Sequence, residues 1–208
     1  METISILIPT FNNETTIERC VLSAINQTYE NVVVLVLNDG STDNTLDILV
    51  KLSEQHSNLV IFNNENNIGR GAARNLLLDL SKTRFSCWLD ADDYIHKDKI
   101  RIQYEHFMNN PDCCFLATPM KFFYNDGRVD ETPHPEYEII KNVNLDNITK
   151  RNEIPHPTVM FRTILARALR FNDNMTSEED WDFYVRLYIL GHKVDVIPNQ
   201  LYFYNTKA

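Results

Sequence analysis

Basic residues are in deficit: 20 Lys and Arg face 29 Asp and Glu in 208 residues, a formal charge of −9. A nucleic-acid surface needs the opposite surplus to neutralise phosphates, and an anionic membrane offers such a chain no general attraction. Long apolar runs are missing as well. The longest, Val32 to Leu37, falls far short of the ~20 residues that cross a bilayer. Met1-Glu2-Thr3 has neither the basic start nor the apolar stretch of a secretory signal, so the glycosylation-like triplets at Asn26, Asn147 and Asn174 carry little weight. The four cysteines contain no C-x-x-C pair, and Cys113 and Cys114 are adjacent. No zinc knuckle or thioredoxin-like motif is written in that spacing, which leaves buried or half-buried free thiols. Repeats, low-complexity tracts and a domain-separating linker are also lacking. The expectation is a cytoplasmic chain folded as one domain.

What is present has two rhythms. In the first half, short β-branched runs alternate with helical patterns. Ile4 to Ile8, Val32 to Leu37, Leu59 to Phe62 and Phe85 to Leu89 read as strands. The continuous apolar character of the second suits a strand covered on both faces. Ile17, Val21, Ala24 and Ile25, then Leu46, Leu49 and Val50, then Ala72, Ala73, Leu76 and Leu80 recur at helical spacing. Strands alternating with helices predict right-handed crossovers and a mainly parallel sheet with helices on both faces. From about Pro111 the rhythm breaks. One or two strands fit 115–124, and 125–158 reads as a long irregular connection. An amphipathic helix is predicted over about 177–190, with short strands at 193–197 and 201–204.

In an open parallel sheet, ligands bind beyond the carboxyl ends of the strands. Four polar clusters fall there: Pro9-Thr10-Phe11-Asn12-Asn13-Glu14, Asn38-Asp39-Gly40-Ser41, Gly69-Arg70-Gly71 with Arg74, and Asp90-Ala91-Asp92-Asp93. Three carboxylates within four residues repel one another unless a cation offsets them. Carboxylate oxygens suit Mg²⁺ or Mn²⁺, ions that also hold substrate phosphates. The glycines around Arg70 are not a dinucleotide fingerprint, because they follow the third strand and Arg74 stands where the last glycine belongs. A glycine-relaxed helix start beside arginines suits a phosphate or diphosphate. In Glu178-Glu179-Asp180-Trp181-Asp182, acids at a helix start complement the dipole. Crowding would also raise one of them toward the range of a general base.

These stretches, in this order, resemble the inverting GT-A glycosyltransferases that use nucleotide-diphosphate sugars, a family-2-like pattern. Ser5 to Asn12, Val36 to Asp43, Asn67 to Asn75, Leu89 to Asp93, Glu179 to Asp182 and Gly191-His192-Lys193-Val194 carry the resemblance. It implies a GT-A fold, with residues 1–110 holding the nucleotide sugar and 111–208 the acceptor. Thr10, Asn12 and Glu14 would lie against the nucleoside, Asp39 would accept from the base's ring N–H, and Pro9 and Ser41 would belong to the same donor site. Gly69, Gly71 and Arg74 would border the diphosphate or sugar, and Asp90 and Ala91 the ribose or sugar. Asp92 would bind the Mn²⁺ or Mg²⁺ ion, and Asp180 would deprotonate the acceptor hydroxyl. Asp93, His156, Glu179 and Trp181 are placed near the metal or acceptor, although the proline-bounded turn favours a structural histidine over a metal ligand at His156.

The implied donor is a UDP-sugar, and the acceptor a glycan, lipid-linked or protein-borne hydroxyl in polysaccharide assembly. Family members commonly continue past the last aromatic strand with a basic, His-containing stretch and membrane-associating helices. Ala208 follows that strand by four residues here, so the expectation is either a truncated chain or one without that closing element, with peripheral membrane association at the inner face left to a longer one. Two rivals remain. An aspartyl-phosphate phosphatase carries its Asp-x-Asp on an early strand, whereas this one ends the fourth. A non-catalytic sugar-nucleotide or glycan-binding module would keep the fold without the chemistry.

Overall fold

The computed structural model describes residues 2–124, 128–129 and 136–206. Its first half follows the alternation read from the sequence through β1 (Ile4–Thr10), α1 (Ile17–Ile25), β2 (Val32–Asp39), α2 (Thr45–Gln55), β3 (Leu59–Asn64), α3 (Arg70–Leu80) and β4 (Phe85–Trp88), and then adds β5 (Tyr94–Ile95) and α4 (Lys99–Asn109). The second half holds β6 (Phe115–Ala117), β7 (Met120–Tyr124), α5 (Glu136–Lys141), α6 (Leu145–Ile148), a 3₁₀ turn (His156–Thr158), β8 (Met160–Arg162), α7 (Thr163–Leu169), α8 (Glu179–Ile189), β9 (Val194–Val196) and β10 (Tyr202–Thr206).

Among the described residues, seven strands form one sheet in the order β3-β2-β1-β4-β8-β6-β9, and β5-β10-β7 form a second, smaller one. β1 pairs in parallel with β2 on one side and β4 on the other. Strand order therefore reverses at β1, and the crevice of an open α/β sheet opens at that reversal. β8 is the antiparallel insert, paired with β4 and β6.

Both faces of the sheet are covered, as the unbroken apolar run of β2 requires. Ile4, Ile6, Ile8, Val34 and Val36 pack toward α1, α2 and α4, while Leu7, Leu35 and Leu37 join the cluster formed with α3, α7 and α8. Neighbouring strands share this parity, for Ile6 lies opposite Val34 and Leu7 opposite Leu35. A slip of one residue would exchange the two cores. All four cysteines are free. None of the described helices is long and apolar enough to cross a membrane.

Three expectations need correction. The 125–158 stretch is not uniformly irregular, since α5 and α6 form within it. Asn144 caps α6 by accepting from the Asp146 and Asn147 amides, so the Asn-rich composition builds a helix start there. The rest of that expectation, at 125–127 and 130–135, lies outside the described residues. β8 and α7 were not anticipated at all. β2 runs past the expected Leu37 to include Asn38 and Asp39.

Candidate active site

At the carboxyl ends of β1 and β2, the predicted nucleoside residues bind one another. Asn12 donates its amide to Ser41 Oγ at 2.9 Å, and its side chain accepts from the Thr42 amide at 2.8 Å. Asn12 has φ +56°, a left-handed conformation that asparagine tolerates better than most residues. Glu14 accepts from the Asn44 amide and side chain, and Thr10 donates to Asn13. Asp39 is almost fully buried and accepts from Asn64 Nδ2 and from the Ile68 and Gly69 amides. Its carboxylate thus pins the 64–69 loop under the β2 end. Gly40 makes that approach possible. It sits at φ +73°, and a Cβ there would lie 2.7 Å from the Asn66 carbonyl carbon and the Asn67 nitrogen, closer than atoms can pack.

The acidic turn after β4 divides in two. Asp90 leads into the cleft with 30% of its side chain exposed, and Asp92 is half-buried. Asp93 is fully buried, so it stands beside the acidic turn without opening to solvent. Its carboxyl accepts from Tyr202 Oη and the Asn205 amide, both at 2.7 Å, and Tyr202 Oη in turn accepts from the Asp90 amide. Burial and the neighbouring Asp90 push Asp93 up to about 8. This acid fastens β10 to the turn. Asp90 is also raised, first by the surrounding protein and then, after the opposing pull of Arg74, by Asp92 and Asp180.

Arg74 does not stand free for a diphosphate. It is 7% exposed, donates to Glu179 Oε1, and lies 3.6 Å from Asp90 Oδ1 and over the Phe171 ring. Glu179 is buried too, with Arg70 3.3 Å from the same oxygen. Gly71 is small because the 172–173 backbone crosses it: a Cβ would meet Asn172 O at 3.0 Å. The acids opening α8 are therefore dispersed rather than crowded. Glu179 turns inward, and Asp182 pairs with Arg186. Asp180 Oδ2 accepts from Asn152 Nδ2 at 3.0 Å. Trp181 donates its indole N–H to Ile148 O, tying α8 to α6.

His156 is buried among aromatic side chains. It is 3% exposed, sits 3.0 Å from Tyr184 Oη through Nδ1, and packs against Trp88 and Phe171. Burial, then Arg74, hold it well below the usual histidine range. The unfolded chain takes up a proton below about pH 6.5 and the folded chain does not, so this group's contribution to stability falls as pH falls. The limit is about 1.4 kcal/mol per pH unit. Asp93 has the opposite sign, because its folded carboxyl keeps a proton that the unfolded chain loses. The expected result is therefore a difference: denaturant midpoints between pH 6.5 and 5 should fall more steeply in the parent than in His156→Asn. Parallel curves would refute the neutral buried imidazole.

Residues 5–169 match the profile of Glycosyl transferase family 2. The chain belongs to that family. It is 25% identical over 200 residues to the uncharacterized glycosyltransferase MJ1057 of Methanocaldococcus jannaschii, covering 95% of this chain and 69% of that one. To the chondroitin synthase of Pasteurella multocida it is 31% identical over 192 residues, 90% of this chain and 19% of the relative. Residues 1–349 of S. aureus TarS, solved with UDP-GlcNAc, superpose with a TM-score of 0.80 at 26% identity, covering 99% of this chain and 59% of that one. The fold is GT-A, and this chain spans less than two thirds of each of the last two relatives, 19% and 59%.

Within this family 2 domain, sequence reasoning missed the residues that hold the predicted ones. Tyr202 joins Asp90 to Asp93, and Asn152 holds Asp180. Arg19 donates to the Asp92 carbonyl at 2.9 Å and lies over the Tyr94 and Phe123 rings. Each contact spans 28 or more positions in sequence, and no local pattern announces it. A divalent cation suits what remains open. The donors are carboxylates, and Asp92 and Asp180 add their charge to the burial that raises Asp90, against the pull of Arg74. That concentration of negative potential in one cleft is what a hard cation offsets.

Proposed function

We propose that this domain transfers a sugar from a nucleotide-diphosphate donor, a UDP-sugar, to a hydroxyl of a glycan or of a lipid- or protein-linked acceptor, with inversion and with a divalent metal. The carrying observation is that Arg74 lies against both Asp90, after β4, and Glu179, the neighbour of Asp180 at the start of α8. Residues from distant parts of the chain meet in one cleft. UDP-GlcNAc in the TarS relative supports the donor class, and chondroitin synthase supports a role in polysaccharide synthesis.

In this reading residues 1–110 hold the donor and 111–208 the acceptor. Thr10, Asn12 and Ser41 form the ledge for the nucleoside, while Asp39 shapes that ledge through the 64–69 loop. Asp92, with Asp90 beside it, would hold Mn²⁺ or Mg²⁺, which when bound offsets charge on the departing diphosphate. Asp180, oriented by Asn152, takes the acceptor's hydroxyl proton. The acceptor oxygen bonds to the anomeric carbon as the bond to the diphosphate oxygen breaks on the opposite face. One displacement inverts the configuration. Arg74 acts from behind by keeping Glu179 and Asp90 in register.

Calorimetric titration with UDP, GDP and their sugars, each with Mn²⁺ and with EDTA, tests this reading. The expected result is binding of a uridine donor that weakens sharply in EDTA. Preference for another base would overturn the UDP assignment, and metal-independent binding would remove Asp92 from its role. Donor binding without transfer to any hydroxyl acceptor would favour the non-catalytic module.

A further inference from the structure

A second cluster of ligand atoms lies away from this cleft. His106 Nε2 (last turn of α4), Cys113 Sγ (the turn before β6) and a carboxylate oxygen of Asp195 (β9) all lie within 4.8 Å of one another. β6 runs parallel to β4, because β8 is antiparallel to both. Cys113 precedes β6, so the trio is gathered toward the opposite end of the sheet from Asp90.

The geometry points to a Zn²⁺-binding site at His106, Cys113 and Asp195, which would fasten the edge strand β9 to α4 and the β6 turn. Three features carry it. His106 Nε2 is shut off from solvent and has no hydrogen-bond partner, although it sits 3.7 Å from Asp195 Oδ2. That is too long for a good hydrogen bond and close to the separation of two ligands on one ion. Zinc bonds of ~2.0–2.3 Å in a tetrahedron place donor atoms about 3.3–3.6 Å apart. The second feature is the donor set. Nitrogen, sulfur and oxygen together suit Zn²⁺, whereas the all-oxygen chemistry of the catalytic cleft suits Mg²⁺ or Mn²⁺.

The third feature is access. Cys113 is 4% exposed, yet with Asp195 it borders an open cleft of about 460 Å³ that His192 also lines. An ion can enter there, and a fourth position is left for water. On binding, the Cys113 thiol releases its proton to solvent as the sulfur–zinc bond forms, and nothing is oxidised or reduced. The ligands come from three segments, 7 and 82 positions apart in sequence, which is why no spacing motif reveals them.

Cobalt substitution tests the site on the full chain without nucleotide. One equivalent of Co²⁺ should produce a thiolate-to-cobalt charge-transfer band with tetrahedral ligand-field absorption, displaced by Zn²⁺ and unaffected by Mn²⁺ with UDP. Cys113→Ser should abolish the charge-transfer band, His106→Ala should weaken Co²⁺ binding at least about tenfold, and Cys114→Ser and Asp92→Ala should leave it intact. Absence of the band, its survival in Cys113→Ser, or its loss only in Cys114→Ser would overturn the assignment. If Cys113→Ser does not fold, Asp195→Asn, whose side chain is 44% exposed, must show the same weakening as His106→Ala; undiminished Co²⁺ binding there refutes the site.

Discussion

Asp180→Asn should leave donor affinity unchanged and lower the rate of sugar transfer by about 10²–10⁴-fold, the usual contribution of a positioned general base. The substitution preserves size, and an asparagine oxygen can still accept from Asn152 Nδ2, as the carboxylate does at 3.0 Å. What disappears is the ability to hold the acceptor's proton. Asp180 also raises Asp90 through its charge, so neutralising it should bring Asp90 down. The donor side then gains negative charge rather than losing it, and metal-supported donor binding has no reason to weaken. Single-turnover transfer measured beside calorimetric donor binding separates the two effects. Equal transfer rates in parent and variant would remove Asp180 from the chemistry. A parallel loss of donor binding would instead make it part of the donor site.

The strand ends were legible because the β-branched runs of β1 and β2 are long, local and flanked by turn residues. Pro9-Thr10, Asp39-Gly40 and Asp90-Ala91-Asp92 fall on one rim from strand order alone. β8 was not legible. It has three residues, Met160-Phe161-Arg162, and its pairing with Phe85 rests on a contact across more than seventy positions.

The same limit governs side-chain roles. Arg74 in isolation reads as a phosphate ligand, because nothing near it in sequence discloses Glu179. Asp93 is chemically identical to Asp92, and only the arrival of Tyr202 and Asn205 on β10 turns one inward and leaves the other beside the cleft. The four acids of α8 read as a crowd in one dimension. The helix distributes them, and Glu178 at φ +60° sets the chain direction just before Glu179 enters the core. Strain of that kind costs roughly 1–3 kcal/mol and persists only where the surroundings hold it.

Glu179→Ala should be among the most destabilising single substitutions in the domain, at about 3–5 kcal/mol, because it strips the main counter-ion from a buried guanidinium. Arg74 would be left with Asp90 at 3.6 Å and the face of Phe171, while its Nε, already buried without a partner, gains nothing. At this chain length the loss should lower the melting midpoint by roughly 10 °C. Arg74→Met should cost a similar amount, since Glu179 would keep only the exposed Arg70. The double variant Arg74→Met/Glu179→Leu should recover most of the loss, because removing both charges also removes the desolvation that each imposes. A double-mutant cycle by denaturant unfolding reads this coupling directly. Additive singles, each under about 1 kcal/mol, would mean that the pair is solvated rather than buried. Recovery of stability need not restore function: Arg74 lowers Asp90, so without it Asp90 should titrate higher and donor binding should fade at a higher pH than in the parent. A stable double variant with an unshifted binding profile would confine Arg74 to joining α3 and α8.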